Sequence, residues 1–444
     1  MPELTEFDLS MEPELVATFA VARPKSEEGS VGGVYRTVGA LSAMKNKVAT
    51  KGDPRVFPLK EGKILLADND DKEAPFKIVN AENRAKWESA PNPISGFSEL
   101  RGLASVGDDA FGLDGGKGGL VKFDVSSFPW KVAKSFPYLS SVKGAEASGE
   151  LLGLVGKRLA VVINEVENPQ TPKAVYHPAR LVFADPETLS PLKGTLNGNA
   201  AESLPLGLNA TAMDVYQDPA TGAFDILVAC AGGPVARGEN PDPETNGEKS
   251  TLELATVSFA ADGAWSASAK TVLKGLPENG GNIQSVAVNP VNGAAFLLLT
   301  GLKGISWETN KAKVAWELYS TGIGVLKLHE QAPVSILGVP VQKNGAEFDE
   351  GRLWDLVHNK KNDELWMAHG DSIYIYRLKD RDPWGDPDVF SQEDLNPAEG
   401  GNLLSFAVTV ESQVGTSVKE LRSFPKFPVA RRAIYSDSLR FLAL

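Results

Sequence analysis

Met213-Asp214-Val215-Tyr216, then Asp218-Pro219-Ala220-Thr221-Gly222, then Phe224 to Ala229: an apolar run, a tight polar turn, a second apolar run. Asp before Pro opens a turn, because Pro fixes its own φ and pushes its predecessor out of the helical region. Gly222 closes the turn, where a positive φ is usually required. The flanking runs are short and rich in Val, Leu, Phe and Tyr, which suits strands better than helices. The stretch therefore predicts a β-hairpin, and it is not alone. Val286-Ala287-Val288, Asn289-Pro290-Val291-Asn292-Gly293 and Ala295 to Thr300 repeat it, and Trp354 to Val357, the turn 359–363 and Leu365 to Ala368 repeat it again. Looser copies centre on Glu61-Gly62-Lys63, Gly107-Asp108-Asp109 and Gly156-Lys157-Arg158.

The turn centres fall near 62, 109, 157, 222, 293 and 363, in steps of 47, 48, 65, 71 and 70 residues. Four-stranded propeller blades run at about 40 to 50 residues each, and the longer steps leave room for inserted loops. A third strand-like run follows each hairpin in most units: Leu120 to Val125, Arg180 to Asp185, Leu252 to Phe259, Gly324 to Leu328 and Ser372 to Leu378. Six units fill roughly 50 to 380. The two ends carry strand-like runs (Leu15 to Val21 with Val34 to Leu41, and Leu403 to Val410 with Ile434 to Leu442) but no complete copy. A seventh blade shared by both termini would hide the strand edges that an open sheet exposes. The expectation is an all-β chain forming one domain, 1–444, a seven-bladed propeller closed by its N- and C-terminal strands; six or eight blades are also compatible with the spacing.

Composition narrows the function classes. The 43 Gly and 29 Pro of 444 residues make the chain dense in turns, and no 15-residue window shows capped helical periodicity. No run of 18 apolar residues exists, so no membrane-spanning helix is expected. The first twenty residues lack the basic start and apolar run of a signal peptide, as a trimmed mature chain would. A net charge of −12 argues against nucleic acid, which demands a basic face, and fits a monomer kept soluble by its acidity. One cysteine, Cys230, excludes internal disulfides and thiolate metal clusters and reads as a small core residue.

No catalytic set assembles from the sequence. The four histidines, His177, His329, His358 and His369, form no H-E-x-x-H or H-x-H pattern, so no local zinc site is indicated. His358 and His369, beside a turn and a strand end, read as rim residues. No G-x-S-x-G elbow is present. Gly115-Gly116-Lys117-Gly118-Gly119 lacks the P-loop Ser or Thr and lies between strands, so it reads as a hairpin loop. Asp68-Asn69-Asp70-Asp71 gathers hard oxygen ligands of the kind calcium prefers; Asp68, Asp70 and Asp71 are the candidate metal ligands, against a solvated turn. No other cofactor is indicated. The irregular segment Asp380 to Asn402 sets Trp384 and Phe390 among Asp386, Asp388 and other acids, and loops of that length are commonly functional. These four are the candidate binding residues, against a connector between blades. Trp307, Trp316 and Trp354 read as packing between sheets.

The recurring pattern of apolar strand, Asp-Pro or Asn-Pro, Gly and apolar strand, carried by Met213 to Ala229 and Val286 to Thr300, resembles the repeats of bacterial YVTN- and NHL-type β-propellers. It is similar, more loosely, to the seven-bladed propeller lactonases. The resemblance implies a propeller and transfers no functional residue. The expected function is an extracytoplasmic binding or scaffold module that recognises a protein or glycan through loops on one face. A metal-assisted, lactonase-like hydrolase at the channel mouth is the alternative, and a component of a surface assembly a third. The long connections Asn164 to His177, Gly232 to Lys249 and Leu302 to Val314 occupy equivalent places in successive units and should share a face, where binding tends to sit.

Overall fold

The computed structural model describes residues 99–168, 175–232, 250–274, 282–302 and 320–328 with short internal breaks, and shorter strand segments between 15–89 and 335–410. Among these residues it is all β, and no helix is long and apolar enough to cross a membrane.

Among the described residues, seven sheets follow one another along the chain. The first holds β1 (Leu15–Val21), β2 (Gly32–Val38) and β3 (Lys47–Thr50). The second holds β4 (Arg55–Pro58), β5 (Lys63–Ala67), β6 (Phe76–Asn80) and β7 (Trp87–Ser89). The third holds β8 (Leu100–Val106), β9 (Asp109–Asp114), β10 (Gly119–Asp124) and β11 (Lys131–Pro137). The fourth is built from β12 (Glu146–Val155), β13 (Arg158–Glu167) and β14 (Val175–Ala184). A small hairpin, β15 (Gly194–Leu196) and β16 (Asn199–Ala201), then precedes β17 (Leu204–Leu208), which completes that sheet. The fifth holds β18 (Ala210–Gln217), β19 (Phe224–Cys230), β20 (Thr251–Phe259) and β21 (Trp265–Lys274). The sixth holds β22 (Asn282–Val288), β23 (Ala294–Leu302), β24 (Ser320–Lys327) and β25 (Ser335–Gly338). The seventh holds β26 (Leu353–Asn359), β27 (Glu364–His369), β28 (Ser372–Arg377) and β29 (Asp388–Phe390). The last strand, β30 (Leu403–Val410), returns to the first sheet and pairs antiparallel with β1, Phe19 opposite Phe406.

All six hairpins expected from the repeat form, each as the first and second strands of a sheet. The first strands touch in the order β4, β8, β12, β18, β22, β26 and β30, and β30 in turn touches β4. The first and last described strands thus share one sheet. The strand that joins Leu15–Val21 there is Leu403–Val410, while Ile434 to Leu442 lies outside the described residues, as do Trp307 and Trp316.

Apolar layers fill the space between consecutive sheets. Phe57, Leu65, Leu103 and Phe123 pack between the second and third. Phe111, Leu120, Leu152 and Val161 pack between the third and fourth. In β13 the alternation of strand side chains explains an unbroken apolar run. Val161 and Ile163 face the third sheet's layer, whereas Ala160 and Val162 join the layer toward the fifth, with Phe183, Ile226 and Trp265. A strand buried on both faces needs no polar alternation.

The β15–β16 hairpin leaves the fourth sheet and lies parallel along β21, widening the fifth sheet to six strands. Its turn, Asn197 (φ 49°) and Gly198 (φ 82°), has the two positive φ values of a type I′ hairpin. Trp265 fastens it by donating its Nε1–H to the Leu192 carbonyl at 2.9 Å. Two residues differ in role from their sequence reading or confirm it. His358 is buried and stacks on Phe296 (6.1 Å between ring centres), so it is interior and not a rim residue, because β26 is covered by the neighbouring sixth sheet. Cys230 is a buried free thiol, as expected, and burial pushes its pKa up to about 12.

Candidate functional site at the entry end of the inner strands

The end at which each first strand begins is also where the second strand stops and the third starts. Every second-to-third connection therefore opens there: 68–75, 115–118, 168–174, 231–250, 303–319 and 370–371 in the second to seventh sheets. The three long connections expected to share a face attach at this end, in consecutive sheets. So do the Asp68–Asp71 turn and the glycine-rich Gly115–Gly119 loop.

A second regularity at this end left no mark in the sequence. Six first strands carry a bulge near their start: at Arg101 in β8, Glu150 in β12, Thr211 in β18, Gln284 in β22, Trp354 in β26 and Leu404 in β30. A bulge sets one residue out of the ladder and re-aims it, and bulges recur beside functional sites. Here the side chains of two neighbouring bulges meet. Arg101 donates to Glu150 at 3.0 Å across two sheets, and its other edge is held by Glu99 (Nε to Oε1 2.8 Å, Nη2 to Oε2 3.1 Å). Arg101 and Glu150 are 1% and 2% exposed. Burial works to lower the Arg101 pKa, but the Glu150 and Glu99 carboxylates outweigh it and hold the guanidinium above its ordinary value. Gly115 makes this arrangement feasible, since a Cβ there would stand 2.2 Å from Arg101 Cγ. Asp114, buried alongside, accepts the Glu99 N–H at 3.2 Å.

In the fourth sheet the buried Glu165 gathers the strap between β11 and β12. It accepts from Ser140 Oγ, from Ser141 N and Oγ (3.1 Å each) and from Arg180 Nε (2.9 Å). On the same strand pair Glu167 faces His177 at 2.8 Å, both partly exposed. Asn164 mimics a strand rung toward the fifth sheet: its Nδ2 donates to the Ala210 carbonyl (3.1 Å) while its Oδ1 accepts the Ala210 N–H (2.9 Å). Ser250 repeats the device toward the sixth sheet, donating to the Cys230 carbonyl (3.0 Å) and accepting the Ile283 N–H (2.8 Å).

Between these clamps lies Asn209, 3% exposed, in the left-handed region at φ 56°. Its backbone carbonyl accepts the Ala231 N–H (2.8 Å), as that of Glu99 accepts the Gly115 N–H (2.9 Å), so the two residues are structural equivalents. Its side-chain Oδ1 is buried and has no hydrogen-bond partner among the described residues.

Of the candidate metal ligands, Asp68 and Asp71 are buried at this end, and Asp70 lies outside the described residues. The Asp71 carboxylate pairs with Lys77 at 3.3 Å, and the Asp71 N–H donates to the Asp68 carbonyl at 3.1 Å. No group of three acidic, His or Cys side chains suited to a metal occurs among the described residues. Of the candidate binding residues, Trp384 and Asp386 fall outside the described residues. Asp388 and Phe390 lie on β29, a fourth strand, opposite Ile375 and Ile373 and on a different sheet from Asp68 and Asp71. Sequence reasoning missed Arg101, Glu150, Asn164, Glu165 and Asn209. No residue pattern marks them, since the bulges hold Arg101, Glu150, Thr211, Gln284, Trp354 and Leu404 in turn.

No protein-family model matches the chain, and no curated protein gives a significant sequence match. Solved structures do. A candidate 6-phosphogluconolactonase of Bacteroides uniformis aligns over 90% of this chain and 100% of its own, with a TM-score of 0.51 at 11% identity. A candidate 6-phosphogluconolactonase of Bacteroides fragilis (TM-score 0.49, 11% identity, 90% and 99% covered) and the periplasmic gluconolactonase of Pseudomonas aeruginosa (0.49, 9%, 90% and 100%) follow the same course. At such identities the likeness is one of architecture: the chain has a propeller-type all-β fold.

Proposed function

We propose that this chain is a closed, seven-bladed β-propeller, acting outside the cytoplasm as a binding module whose entry face takes a protein or glycan partner. Closure is supported by the β1–β30 pairing and by the contact of β30 with β4. The binding reading is carried by one observation. The three long insertions, at 168–174, 231–250 and 303–319, sit at the same place in consecutive sheets, at the end where the inner strands bulge. A rigid frame with variable connections gathered on one side is the usual plan of a recognition surface. The test is to shorten 233–249 and 303–313 to tight turns and repeat a pull-down from the source organism. Loss of a partner captured by the intact chain is expected; unchanged recovery by a still-folded double deletion refutes the reading. Sedimentation of the same samples checks the monomer, and cell fractionation the compartment.

The lactonase alternative borrows the activity in the Bacteroides uniformis neighbour's name, and fold alone does not carry activity. Turnover of 6-phosphogluconolactone by purified protein, followed in a pH-stat, would favour it over binding. Metal analysis of the same preparation tests calcium at Asp68, Asp70 and Asp71.

A further inference from the structure

We propose that the β15–β16 hairpin is a guard: it occupies a sheet edge through which a second copy of this chain would otherwise pair. The proposal goes beyond the entry-face reading and does not depend on it. An outermost strand offers a row of unpaired N–H and C=O groups to any strand that meets it. Among the described residues the outermost strands of six sheets are blunted by their own length or sequence. β3, β7, β25 and β29 have four residues or fewer, and β17 carries Pro205. β11 has Lys131, Lys134, a bulge at Ala133 and Pro137 at its end. Each is a known way to spoil an edge. The outermost strand of the fifth sheet, β21, is longer, at 10 residues. Its second half holds Lys270, Lys274 and a bulge at Val272, but Trp265-Ser266-Ala267-Ser268-Ala269 has no charge, proline or bulge. That half is where the hairpin lies, Gly194 to Leu196 running parallel to Trp265 to Ala267.

The hairpin is fitted to this edge. The Trp265 N–H donates to the Lys193 carbonyl (3.3 Å), and the Asn197 N–H donates to the Ala267 carbonyl (2.9 Å). Leu192 and Leu196 pack on the layer that holds Trp265 and Phe183. Gly194 approaches so closely that a Cβ there would stand 2.2 Å from the Trp265 ring. The edge that replaces β21 is β16, three residues long and followed by Glu202. Trp265 and Ala267 thus turn backbone groups outward, and by alternation so does Ala269. Two bare edges related by a two-fold axis would pair antiparallel about Ala267, with Trp265 opposite Ala269 and Ser266 opposite Ser268. That register leaves the lysines outside the pairing and closes on itself, so the partner is a second copy and the product a dimer.

The experiment replaces 193–202 by a Gly-Ser-Gly-Ser linker. Pro191 lies opposite Ala184 and Leu204 opposite Leu181, both on β14 and so about 10 Å apart, which the linker spans. Sedimentation velocity is read over a dilution series, with circular dichroism as the check on folding. The intact chain should stay a monomer, and the deletion should dimerise. Adding Ser266→Lys and Ser268→Lys, both at exposed positions, sets like charges opposite each other and should return the deletion to monomer. Ser266→Lys with Ser268→Glu should dimerise again. Gly194→Val keeps the chain length, displaces the hairpin and should dimerise more weakly than the deletion. The proposal fails if the intact chain itself dimerises, if a folded deletion stays monomeric, or if the lysine pair leaves its dimer intact. Where the deletion does not fold, Gly194→Val decides, and a folded monomer at every dilution overturns the guard. Failure of both variants to fold overturns it too, since the hairpin would then be part of the core.

Discussion

The two ends of the sheets differ in their balance of local and distant contacts. At the exit end the Asp218 and Asn289 turns close on themselves, and a distant bond joins sheets there, the Asp214 carboxylate of β18 accepting the Val288 N–H of β22 (2.6 Å). Gly222 N–H donates to the Asp218 carbonyl (2.8 Å), while the Asp218 carboxylate takes the Ala220 N–H (2.9 Å) and the Thr221 hydroxyl (2.7 Å), all within five residues. Gly293 closes on Asn289 in the same way (2.9 Å). At the entry end the bonds run between sheets, from Arg101 to Glu150 and from Asn164 to Ala210, 49 and 46 residues apart. Local contacts shape single units, and distant ones fix how units stand against each other. Binding surfaces need the second kind, because their geometry spans several units.

The comparison breaks most visibly at Arg101. Arg101→Met removes the cation from a site where Glu150 stays buried, and should cost about 3 kcal/mol or more, read as a lower midpoint in urea. Arg101→Met with Glu150→Leu should recover much of that loss, since an apolar pair of similar volume often does as well as a buried ion pair. A single substitution within about 0.5 kcal/mol of wild type would mean that the entry end is not held by this cluster.

Asn164→Ala comes next. It strips partners from both the N–H and the carbonyl of Ala210 at a buried position, so a loss of about 1–3 kcal/mol is expected. Hydrogen exchange should localise the effect to the first rungs of β18. Uniform loosening of the whole chain would show instead that the sheets unfold as a unit.

The asymmetry explains what could be read from the sequence. The repeat was legible because a hairpin is encoded by adjacent residues: Asp218-Pro219 and Gly222, Asn289 and Gly293. Third strands such as Leu252 to Phe259 followed from the same alternation. The β15–β16 hairpin escaped because its strands are three residues long and take their stability from β21 and its Trp265, far along the chain. Asn209 and Arg101 escaped for a related reason. A bulge has no residue signature of its own, and the polar residues that occupy it look like ordinary strand ends. His358 was misread because its neighbourhood in the chain is a turn, whereas its neighbourhood in space is Phe296.

At the exit end, effects should be smaller and confined. Gly222 has φ 72° and nothing within 4 Å of a built Cβ, so Gly222→Ala meets only backbone strain, about 1 kcal/mol. Gly222→Asn should cost less, because Asn tolerates the left-handed region. If the two variants lose equal stability, the turn is not governed by φ.

The smallest effect is expected at Asp185, in the turn after β14, and it is one of pH. Desolvation tends to raise the Asp185 pKa, but the N–H groups of Thr188 (2.8 Å) and Glu187 (2.9 Å) and the Thr188 hydroxyl (3.2 Å) donate to the carboxylate, and the pKa ends below the usual carboxylate range. A pKa depressed by folding contributes stability above the unfolded value and loses it as pH falls through the folded one. Asp185 is partly exposed at the surface, so solvent screening leaves roughly 0.3 kcal/mol. Asp185→Asn should therefore melt slightly below wild type at pH 7, and the gap should close as the solution is acidified below the ordinary carboxylate range. A gap that widened on acidification would reverse the sign of the linkage, and the Asp185 turn would then be stabilised by its protonated acid and not by its charge.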